Sequence, residues 1–145
     1  MAWPGPATRR MARFALVALV LLVGWLALVP QPPRALSTGW DKLNHLLAFA
    51  ALGAAACGGF ASHGLAERSA ALPAVMGALL AYGVLIEWVQ AHIPGRHGEA
   101  VDVVADALGL ALGAALVWLF RAQARRRARK NASIAAEASG PRSSA

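Results

Sequence analysis

Four apolar runs, each close to the roughly 20 residues a helix needs to cross a bilayer, constrain this chain more than any other feature. They are Phe14 to Val29, about Leu43 to Ala61, about Ala71 to Ile93 and about Val101 to Phe120. Of the 145 residues, 58% are hydrophobic, far more than a soluble domain of this length needs to fill its core. Ala, Leu, Val and Gly dominate the runs, and small residues let helix backbones approach closely in lipid. The expected fold is all-α: an integral membrane four-helix bundle. "PQPP" stops the first run and "IPG" (93–95) ends the third, while Pro73 falls in a first helical turn, where a missing N–H does no harm. The sole cysteine, Cys57, allows no internal disulfide. No repeat and no second domain is visible.

The charges set the orientation. Arg9, Arg10 and Arg13 precede the first run, and Arg121, Arg125, Arg126, Arg127, Arg129 and Lys130 follow the fourth. Basic flanks stay in the cytoplasm, and an even number of spans puts both termini there. The expected layout is a basic cytoplasmic N-terminus (1–13), a four-helix domain (14–120) and a basic, disordered cytoplasmic tail (121–145), in the bacterial plasma membrane. The first run shares its basic-then-apolar layout with signal peptides. No small-x-small cleavage site precedes "PQPP", so an uncleaved helix is expected. The run "RAQARRRARK" has the composition of a nucleic-acid or anionic-lipid contact, but a basic topology anchor is the commoner use. Membrane lipids are thus expected partners and nucleic acid is not.

This topology sorts the remaining polar residues. Asp41, Glu87, Glu99, Asp102 and Asp106, five of seven acidic residues, fall at or near the outer ends of the runs. His45, His92, His97, Arg34, Lys42 and Arg96 lie there too, against only His63, Glu67 and Arg68 in the inner loop. Helical spacing puts Asp41 and His45 on one patch, and Glu87 and Gln90 on one stripe with Gly83 a turn deeper. Asp102, Asp106, Gly109 and Gly113 step by four, three and four along a single face. Glycine at the deep end permits tight helix contact, so the acidic end should face the bundle interior, where an ionised group is also less costly than against lipid.

Taken together, "DKLNHLLAFAALG", "IEWVQ" and "PGRHGEAVDVVADALGLALG" resemble the VanZ-like family of small bacterial membrane proteins over roughly residues 40 to 115. The family's Asp-Lys-x-x-His is matched by Asp41, Lys42 and His45, its Glu-x-x-Gln by Glu87 and Gln90, and its Arg by Arg96. Its Asp-x-x-x-Asn-x-x-Gly is matched by Asp102 and Gly109, with Asp106 replacing the usual Asn. The family takes its name from a member linked to teicoplanin resistance, and the resemblance implies a cell-envelope role more than a reaction.

Asp41, His45, Glu87, Gln90, Arg96, Asp102 and Asp106 are accordingly the expected ligand-binding residues. The ligand would be an envelope lipid or glycan, or a glycopeptide-type molecule, with Arg96 clamping a carboxylate or phosphate. One alternative is a membrane-embedded hydrolase or transferase using Glu87 and His45 for acid–base chemistry. Another is a purely structural polar cluster, with Glu87 paired to Arg96 and Asp102 capping the fourth helix. A transporter fits less well, because the polar residues gather at one end instead of spreading through the bilayer. A metal site is conceivable from His45, Glu87, Asp102 and Asp106, but no HExxH or CxxC spacing supports one. No metal or cofactor is expected.

Overall fold

The computed structural model describes residues 5–30, 32–61, 70–94 and 98–138. Four helices account for nearly all of them: α1 (Pro6–Leu28), α2 (Asp41–Phe60), α3 (Ala71–Gln90) and α4 (Ala100–Ala138), with a 3₁₀ turn at Arg34–Leu36. All four are long and apolar enough to span a membrane, and there is no strand among the described residues. The fold is an all-α four-helix bundle.

Three boundaries differ from the apolar runs. α1 starts at Pro6, with proline in its first turn, where a preset φ starts a helix without wasting an N–H. α3 stops at Gln90, and the next three residues continue as single turns, Ile93 N donating to Gln90 O at 3.0 Å. The largest difference is in the tail: the expected disorder from residue 121 does not hold over 121–138, which extend α4. This segment is mostly alanine and arginine, the strongest helix formers, and the first helix breaker after it is Gly140. At 39 residues, α4 is about 58 Å long, so its basic end projects well beyond a hydrocarbon core of about 30 Å.

α2 is the centre of the bundle. It packs most extensively on α4, then on α1, and touches α3, whereas α1 and α4 make no contact with each other among the described residues. Glycine explains the intimacy of the α2–α4 pair. A Cβ at Gly109 would meet the backbone of Leu46 and Ala50, and one at Gly53 would lie 2.6 Å from Leu110 O. Phe49, Leu52, Ala56 and Leu110 fill the seam. The outer surface is the apolar one: Phe14, Leu21, Trp88, Leu108 and Trp118 are all exposed, while Asp102 and Asp106 are buried. Polar inside and apolar outside is the distribution that lipid demands.

The basic end of the bundle is tied to α2. Arg13 Nε donates to Gly59 O at 3.1 Å, and Arg121 Nη2 to Cys57 O at 3.4 Å. Arginines from α1 and α4 thus meet the last carbonyls of α2, where cations favour the negative end of the helix dipole.

Candidate functional site

The opposite end of the bundle is built from the start of α2, the end of α3 and the start of α4. Asp102 and Asp106 are 1% and 0% exposed, facing inward because Gly109 holds their helix against α2. His45 projects from α2 with its ring stacked parallel to Phe49, one turn deeper, at 6.5 Å between centroids. Its Nδ1 donates to Asp106 Oδ1 at 2.9 Å, and its Nε2 lies 3.5 Å from Glu87 Oε1. Asp106, His45 and Glu87 therefore form a buried row, one residue from each of α4, α2 and α3. Gly83 is what admits it, since a Cβ there would overlap Asp106 Oδ2.

Glu87 also resolves how a carboxylate sits in "VLIEWVQAHIPGR". Its Oε2 accepts the backbone N–H of Glu99 at 2.8 Å, immediately before α4 begins. Glu87 thus satisfies a donor at the helix start from across the bundle, a capping bond made by a distant side chain. Glu99, not Asp102, immediately precedes α4; Asp102 sits in the first turn, near the positive end of the dipole.

Not every polar atom is satisfied. Glu87 Oε1, Gln90 Oε1, Asp102 Oδ1 and Asp106 Oδ2 are buried with no hydrogen-bond partner among the described residues. Lys42 Nζ lies 3.6 Å from Asp102 Oδ1 but is hydrogen-bonded to Glu99 Oε2 at 2.6 Å. Leaving a buried acceptor unmade costs about 1–3 kcal/mol, more for a charged group, so these oxygens need a reason.

Of the expected site residues, Asp41, His45, Glu87, Asp102 and Asp106 meet at this end. Gln90 stands apart from the row: it lines the cavity described next, and its Nε2 donates to Ala27 O on α1 at 2.9 Å. Arg96, and with it the expected Glu87–Arg96 pair, lies outside the described residues.

Beside the row runs a cavity of about 450 Å³ between α1, the 3₁₀ turn, α2 and α3. Its walls are apolar, with Leu22, Leu26, Leu47 and Ile86 among them, and Asp41, Asn44, His45 and Gln90 supply its polar groups. Asn44 holds the loop over it, its Oδ1 accepting from Thr38 N and Thr38 Oγ1, each at 2.8 Å. Gly39, at φ +79°, supplies the left-handed turn that leads this loop into α2. Neither the cavity nor the Lys42–Glu99 bond, which joins residues 57 positions apart, is legible in the sequence. The only available signal was the lysine three residues before His45.

The fold and this end together define a multi-pass membrane protein with a buried acidic site at one mouth of its bundle. Comparison with family models, curated proteins and solved structures finds no match.

Proposed function

We propose that the chain is a bacterial plasma-membrane protein, both termini cytoplasmic, that binds an envelope amphiphile at the outer end of the bundle. The apolar part of the ligand, a lipid or lipid-linked glycan, enters the cavity, and its polar part meets Asp41, Asn44, His45 and Gln90. One observation carries this reading: Asp41, His45 and Gln90 belong both to the polar end and to the wall of an apolar cavity. A volume of about 450 Å³ falls within the range of small-molecule sites, and a ligand with hydroxyl, amide or amine donors would satisfy acceptors such as Gln90 Oε1. The VanZ-like resemblance of residues 40 to 115 supports the envelope role.

The test is mass spectrometry of lipids retained by the purified protein. Leu26→Trp, which fills the cavity, should abolish retention, whereas Leu108→Trp on the exposed face of α4 should not. Equal retention by both variants would sink the reading.

A second reading is supported by the row Asp106–His45–Glu87. A carboxylate that orients an imidazole is the arrangement of acid–base catalysis. Here water would be the nucleophile, since among the described residues no Ser or Cys is hydrogen-bonded to His45. Conversion of a retained lipid into two fragments by the native protein, but not by His45→Gln, would establish it. An intact lipid in both would exclude it.

A further inference from the structure

The acidic end holds a cluster that neither the fold nor the amphiphile reading requires. Asp41, His45 and Asp102 each offer a ligand atom, and these three atoms all lie within 4.8 Å of one another. Around them the polar atoms are set as they are around a metal. His45 Nδ1 is committed to Asp106 Oδ1 at 2.9 Å; a carboxylate on the far nitrogen of a ligating histidine fixes its ring and its tautomer. That leaves Nε2 as the ligating nitrogen, with a lone pair.

An independent observation comes from α4. Asp102 is buried, and its Oδ1 has no hydrogen-bond partner among the described residues, Lys42 Nζ standing off at 3.6 Å. A cation seated between Asp41, His45 and Asp102 gives that oxygen the partner it lacks.

We propose that Asp41, His45 and Asp102 bind one divalent first-row transition ion. The imidazole favours zinc over calcium and magnesium. Asp41 is exposed and lines the cavity, which gives the ion its way in. Lys42, 3.6 Å from Asp102 Oδ1, is the charge the ion must compete with.

The test uses the full-length, tag-free protein in detergent, stripped with EDTA and titrated with Zn²⁺ alone, with bound zinc counted after desalting and thermal stability recorded. One zinc per chain and a raised Tm are expected. Asp41→Asn and Asp102→Asn should each weaken binding about 10-fold or more, and Lys42→Met should strengthen it. Asp41 is exposed, so its variant keeps the test decisive even where Asp102→Asn fails to fold. Absence of stoichiometric zinc, or zinc binding that Asp41→Asn leaves unchanged, would overturn the site. Lipid retention is a separate measurement and bears only on the amphiphile reading.

Discussion

His45 on α2 and Asp106 on α4 are joined by a 2.9 Å hydrogen bond across 61 residues of sequence, and both are buried. The bond fixes the imidazole between two carboxylates and makes Asp106 the anchor of the site. Asp106→Asn keeps an acceptor oxygen for Nδ1–H and should change stability by less than about 1 kcal/mol. Asp106→Ala leaves the ring unpartnered and should cost about 3 kcal/mol. Thermal unfolding in detergent separates the two; equal losses would mean that the hydrogen bond contributes little.

Gly83 makes room for that anchor. In Gly83→Ala the new methyl overlaps Asp106 Oδ2 and lies 3.1 Å from Phe49 Cζ, so either the carboxylate or α3 must move. A loss of about 1–3 kcal/mol is expected. The matched control is Gly77→Ala on the same helix, where a Cβ meets nothing within 4 Å and stability should rise by about 0.5–1 kcal/mol. A neutral Gly83→Ala would show that the row is loosely held.

Glu87 joins α3 to the start of α4 through the Glu99 amide. Glu87→Gln preserves an acceptor for that amide and should yield a folded, abundant protein. Glu87→Ala should lose about 1–3 kcal/mol, and hydrogen exchange at the Glu99 amide should accelerate. Protection of that amide in the alanine variant would exclude the capping role.

Orientation is tested directly by reporter fusions. Fusions near residues 35 and 97 should be active outside, and a fusion after Lys130 only inside. An external signal from the basic end of α4 would invert the proposed topology.

Sequence patterning exposed much of this architecture because the relevant signals are local. Runs of about 20 apolar residues locate helices, and the steps from Asp102 to Gly113 place acid and glycine on one face. Polarity alone argues for a disordered tail, but alanine and arginine have the propensity to sustain α4 to Ala138. Gln90 shares a stripe with Gly83, yet positions two turns apart meet different neighbours, here Ala27 and Asp106. The donors of the proposed metal site come from α2 and α4, so no linear spacing such as HExxH announces them. Only the crossing of α2 with α4 reveals that Asp41, His45 and Asp102 are neighbours.

The pairing of α2 with α4 also dictates an order of assembly. As the chain emerges from the ribosome, α2 enters the membrane carrying His45 and a glycine-bearing face whose partner has not yet been made. α3 must be synthesised and inserted before α4 can slide into place, and only then does the imidazole find Asp106. During that interval a polar side chain stands in or near lipid, where it is costly. Nascent chains halted before residue 100 should therefore linger at the insertion machinery, and release into the bilayer should coincide with the arrival of α4.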